Sequence, residues 1–135
     1  MSAPAPKSDY LLLFRGTDWD NGLSPEEIQK VMNQLMAWFE SLHRQGKVKA
    51  CQPLGEEGRT VSGKRGRNVA DGPFVESKEA VGGYLILQVS GLEEAVAIAQ
   101  GFPCLDCGGI VEVRPIAEEC PTFQRVKAQL AQATA

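Results

Sequence analysis

Asp9-Tyr10-Leu11-Leu12-Leu13-Phe14-Arg15 is the stretch on which the fold turns. It reads as a β-strand, ended by Gly16 and the polar turn Thr17-Asp18-Trp19-Asp20-Asn21-Gly22. Successive side chains of a strand point to opposite faces, so Tyr10, Leu12 and Phe14 fall on one side and Leu11 and Leu13 on the other. Both sides are apolar, and a strand of that kind must be covered on both faces.

Downstream, Ser24-Pro25-Glu26-Glu27 marks a helix start. Ser24 is an N-cap, Pro25 fills the first helical position, and Glu27 completes a capping box near the positive end of the helix dipole. The helix should run from Pro25 to about Gln45 and stop at Gly46. Ile28, Val31 or Met32, Leu35, Trp38 or Phe39, and Leu42 recur at helical spacing and form one apolar stripe. Val48–Leu54 reads as a second strand. Arg59–Ser62 and Arg67–Ala70 flank Gly63-Lys64-Arg65-Gly66 as a hairpin. After Asp71-Gly72-Pro73-Phe74 the pattern repeats: a strand over Gly83–Ser90, a short helix over Leu92–Gln100 and a last strand over Ile110–Pro115.

Two βαβ halves in this order predict an α+β fold, the ferredoxin-like split βαβ arrangement, with an antiparallel sheet and both helices on one face. The other face, apolar at Leu11 and Leu13, then needs a cover, and the same face of a second subunit is the simplest one. A homodimer is therefore expected. Residues 1–8, rich in proline and alanine, read as a disordered tail, residues 9–118 as the domain, and residues 119–135 as a helical tail. In that tail Phe123, Val126 and Leu130 lie at helical spacing, ready to dock on the body or on the partner.

Composition bounds function without naming it. The chain of 135 residues suits one domain, since domains cluster around ~100–150 residues. Apolar residues at 43% and charged residues at 23% are globular values and argue against disorder or coiled coil. Fully apolar runs such as Leu11–Phe14 and Tyr84–Leu87 are far shorter than the ~20 residues that span a bilayer, so no membrane partner is expected. Nothing at the N-terminus reads as a signal peptide, and a cytoplasmic location is the default expectation. With 14 basic and 17 acidic residues the net charge is −3, which disfavours nucleic acid as a partner.

The run Arg67-Asn68-Val69-Ala70-Asp71-Gly72-Pro73-Phe74-Val75-Glu76-Ser77-Lys78-Glu79-Ala80-Val81-Gly82-Gly83-Tyr84, followed by Gly109-Ile110-Val111-Glu112-Val113-Arg114-Pro115, resembles the signature of the YCII-related, or DGPF, domain family. The resemblance covers roughly residues 9–118 and implies a dimeric α/β barrel. It also implies a pocket in which relatives near the founding branch use a His-Asp pair, and an association of some relatives with sigma factors of the extracytoplasmic-function type. Asp71 matches the aspartate of that pair. The histidine does not carry over, because the single histidine, His43, falls near the end of the long helix and reads as a helix C-terminal cation.

The candidate site is built around Asp71 as an acid/base or orienting carboxylate. Arg15, Arg59 and Arg114 would hold an anionic ligand, with Trp19 and Phe74 screening the approach from water. Each residue has a plainer reading: turn chemistry accounts for Asp71-Gly72-Pro73-Phe74, and strand or hairpin charges are commonly solvated. The basic hairpin has no aromatic residue between Gly55 and Gly72 to stack a base and lacks a phosphate-loop pattern. Cys51, Cys104, Cys107 and Cys120 are expected to be reduced thiols. Cys104-Leu105-Asp106-Cys107 follows a helix instead of opening one, so neither zinc, redox cycling nor any cofactor is expected. Two functions remain open: a small enzyme or binding protein for a small anionic molecule, and a non-catalytic module acting with a sigma factor or another protein.

Overall fold

The computed structural model describes residues 6–71 and 80–134. Strand β1 (Ser8–Arg15) leads through a polar turn into helix α1 (Pro25–Arg44) and strand β2 (Val48–Pro53). A hairpin follows, β3 (Arg59–Ser62) and β4 (Asn68–Asp71), then strand β5 (Val81–Val89), helix α2 (Leu92–Gln100), strand β6 (Ile110–Pro115) and helix α3 (Pro121–Ala133). Four strands form an antiparallel sheet in the order β2-β5-β1-β6. Strands β3 and β4 pair only with each other. With the hairpin set aside, the order is that of the split βαβ arrangement expected from the sequence. The sheet of one chain stays open at both edges and closes no barrel.

The period-two pattern decides which side is core. Leu12 of β1 sits opposite Leu85 of β5, and both are fully buried. With Leu87 and Val89 they meet Leu42 of α1 and Ala95 and Ala99 of α2, so both helices cover one face. Leu11, Leu13 and Ile86 point to the other face and remain half-buried. The sequence left Val31 and Met32 as alternatives for the stripe of α1; Val31 is buried and Met32 is exposed.

Helix α1 starts as its residues dictate. The Ser24 hydroxyl accepts from the Glu27 N–H at 3.1 Å, and the Glu27 carboxylate accepts from the Ser24 N–H at 3.1 Å. The Ser24 backbone N–H, and then its hydroxyl, hold the Glu27 carboxyl below its ordinary value of 4.5. A group whose folded-state pKa is lowered contributes stability above its unfolded value and loses it as the pH falls through the folded one. Loss of the Ser24 side-chain cap in Ser24→Ala should cost about 1 kcal/mol at neutral pH, the usual cost of losing an N-cap. The gap from wild type should narrow in acid, below 4.5. Urea melts at several pH values would measure it, and a gap that widens in acid would contradict the cap.

Candidate functional site

At the end of the sheet where β1 finishes and β5 begins lies an open cavity of about 500 Å³. The strands supply its floor. Gly83 lies opposite Phe14, on the helix-covered face of β5, and carries no side chain that would fill the space. Its neighbour Gly82 also lines the cavity, and a Cβ there would meet the Thr17 methyl at 2.7 Å. Leu35 and Phe39 of α1 and Phe102 form the walls, and Trp19, in the turn after β1, borders the opening. Phe14 packs on Phe102 at 4.7 Å between ring centroids, and Trp38 backs both rings from outside the cavity. Most of the lining is apolar; the exceptions are Arg15, Thr17, Gln52, Glu56 and Tyr84.

Arg15 is among the residues that line this cavity, and the register of β1 against β5 shifts between Phe14 and Arg15. One Nη of the guanidinium donates to the Glu112 carboxylate, 97 residues away in sequence. Arg114 lies on the far side of the same carboxylate at 3.9 Å, so Glu112 stands between two arginines. Its own partner does not use all of Arg15: the Nε–H is buried and makes no hydrogen bond among the described residues. Buried donors are almost always paired, and this N–H is an exception within the Arg15–Glu112 pair.

The other predicted site residues lie elsewhere. Asp71 ends β4 on the projecting hairpin, with its side chain 82% exposed, and pairs with Arg59 at 3.0 Å. Neither lines the cavity. Exposed pairs of this kind are worth about 0–1 kcal/mol. Arg114 is exposed on β6, and His43 is exposed in the last turn of α1. Phe74, with the rest of Gly72–Glu79, lies outside the described residues. Of the predicted set, the structure brings Arg15 and Trp19 to one cavity. Sequence reasoning missed Glu112 as the partner of Arg15, and it read Leu35 and Phe39 only as core. The Gly82-Gly83 pair was the available signal, since adjacent glycines in a buried strand mark missing side-chain volume.

Four thiols are free. Cys104 and Cys107 lie in a short 3-10 turn, Pro103–Cys107, closed by Gly108 in the left-handed conformation. Burial, with a smaller push from the charge of Cys107, drives the Cys104 thiol up to about 11. Burial also raises the Cys51 thiol, another cavity residue. Cys120 behaves oppositely. It is exposed at the start of α3, where the N–H groups of Phe123 and Thr122 lower its pKa. Among the described residues no three His, Cys, Asp or Glu side chains are grouped to hold a metal. Because the thiolate is the reactive form, Ellman's reagent should label Cys120 first and Cys104 only on unfolding. Native-state labelling of both at one rate would contradict this.

Fold and cavity together define an α+β domain with one helix-covered antiparallel sheet and an aromatic-walled cleft at its end. A family model of the YCII-related domain matches residues 10–120. The chain belongs to the YCII-related family, as the residues around Asp71 and the last strand suggested. A comparison with curated proteins finds no match. Among the described residues no helix is long and apolar enough to cross a membrane.

Proposed function

We propose that this protein is a homodimeric small-molecule-binding member of its family, whose ligand has a compact apolar body and one anionic group, such as an aromatic carboxylate. The observation that carries the reading is the aromatic-walled cavity with Arg15 as the cation among its lining residues. A volume of about 500 Å³ suits a small metabolite, and mostly apolar pockets with a few placed polar groups are the common form of such sites. Binding, more than catalysis, is the core of the reading. Asp71 stands on the exposed hairpin paired with Arg59, and the cavity thiols of Cys51 and Cys104 are held in their protonated form near neutral pH. The homodimer is supported by the half-buried face of Leu11, Leu13 and Ile86, which α1 and α2 leave open. A module serving a sigma factor or another protein is the second reading, favoured by the exposure of the hairpin and of α3.

Calorimetric titration with benzoate, phenylacetate and indole-3-acetate, each against its uncharged alcohol, tests the ligand class. The carboxylate should bind about tenfold or more tightly than the alcohol, because a charge-assisted hydrogen bond to guanidinium is worth about 1.5–3 kcal/mol. Arg15→Met should erase the difference, and Arg15→Lys should restore part of it. Equal binding of acids and alcohols by the wild type, or an Arg15→Met variant that keeps the preference, would sink the proposal.

A further inference from the structure

Two elements of this fold lack a surface of their own. Every residue of the hairpin Arg59–Asp71 and of helix α3 is exposed. The apolar residues among them are not small: Val61 and Val69 face each other across the hairpin, and Phe123, Val126 and Leu130 lie along one side of α3, with Phe123 67% exposed. An isolated two-stranded hairpin is marginal in water, and so is a helix below about 12–15 residues. Both elements therefore need something to fold against, and among the described residues the body of the same chain is not packed on them.

Charge points to the occupant. The hairpin carries Arg59, Lys64, Arg65 and Arg67 against Asp71, and α3 carries Arg125 and Lys127 with no acidic residue. The remainder of the chain holds eight basic and sixteen acidic residues. Two basic projections thus extend from an acidic remainder. They leave from opposite edges of the sheet, the hairpin after β2 and α3 after β6, and from opposite ends, since the last residue of β2 pairs with Gly83 and the last of β6 with Tyr10. Two such sheets facing each other about a two-fold axis would place each basic arm diagonally over the other copy, whose residues outside its own arms are net acidic.

We infer that the hairpin and α3 are clasping arms exchanged between two copies of this chain, with the apolar stripe of α3 and the valine pair of the hairpin buried on the partner. This rests on the homodimer of the proposed function and adds what holds it. Leu11, Leu13 and Ile86 make a small apolar patch on a sheet face that also carries Tyr84, Glu112 and Arg114, and the arms extend it on both flanks. Opposite charge sets their register and makes the assembly salt-sensitive.

Sedimentation equilibrium of the full chain, paired with hydrogen exchange at high and low protein concentration, tests the inference. The wild type should be a dimer at micromolar concentration, with amides of Pro121–Ala133 protected when concentrated and exposed on dilution. Phe123→Asp and Leu130→Asp should each weaken the dimer about tenfold or more, and added salt should weaken it in the wild type. The circular dichroism of the body should stay intact in both variants. A wild-type dimer that neither variant weakens, with α3 unprotected, overturns the clasp and leaves the homodimer standing. A folded wild-type monomer overturns both. A monomer that binds duplex DNA through Arg65 and Arg67, with binding lost on Arg65→Gln and Arg67→Gln, assigns the arms to nucleic acid and likewise overturns the inference.

Discussion

Leu85→Ala should lower the unfolding free energy by about 4 kcal/mol, near the upper end of the usual cost for emptying a buried leucine site. Leu85 is on β5, which pairs with β1 on one side and β2 on the other, and it is fully buried opposite Leu12. The strands flanking it are held by their own ladders and cannot slide inward, so the cavity stays largely unfilled and its surroundings lose contacts outright. At fixed protein concentration the melting temperature should fall by roughly 15 °C, since one kcal/mol shifts a domain of this size by about 4 °C. Ile86→Ala, one residue along on the half-buried face, should cost much less in a monomeric preparation. Equal losses at the two positions would mean that the core lies on neither face in particular.

Gly16→Ala should cost about 3 kcal/mol, the left-handed penalty plus a backbone clash, and should weaken binding of the aromatic carboxylate if the proposed function holds. Gly16 has φ +75°, a left-handed conformation that charges an L-residue roughly 1–2 kcal/mol. A Cβ there would lie 2.9 Å from the Gly108 carbonyl oxygen and 3.2 Å from the Gly109 Cα. Both are backbone atoms that cannot rotate away. The turn after β1 and the start of β6 approach so closely because none of these three positions carries a side chain. Forcing them apart would displace the neighbouring Arg15, which lines the cavity beside Gly16. Gly22→Ala is the internal control: its φ is +80°, yet nothing lies within 4 Å of the added Cβ. It should pay only the conformational cost, and the difference between the two variants in urea melts measures the close approach. Equal losses would remove the packing argument.

Much of the fold was legible because its signals are local. Ser24, Pro25 and Glu27 announce α1 through contacts within one turn, and the helix ends at Arg44, one residue short of the expected Gln45. β2 likewise stops at Pro53, one residue before Leu54. The alternation in β1 separates Leu12 from Leu11 and Leu13 as the structure does, since side-chain direction in a strand depends only on parity. The four glycine-rich hairpin residues 63–66 turn the chain as expected, with Gly63 and Gly66 both at positive φ.

The site was legible only in part. Arg15 and Trp19 adjoin the turn after β1, so their nearness to one another is a property of sequence distance. That the cavity opens beside them depends on Gly83 facing Phe14 and on Leu35 and Phe39 descending from α1. Asp71 and Arg59 were grouped with Arg15 by charge type, yet the hairpin that carries them pairs with no strand of the main sheet.

The sequence by itself determined the elements, their order, the two-faced apolar character of β1 and the family, because each is encoded in spacings of two to four residues or in a contiguous motif. Only the tertiary structure decided that Glu112 would meet Arg15 across 97 residues, that Arg15 and Trp19 would line one cavity, and that β3, β4 and α3 would be exposed along their whole length. Those outcomes follow from strand register and from which surfaces are already occupied. Both arise from the free energy of the packed whole, and no single residue type carries them.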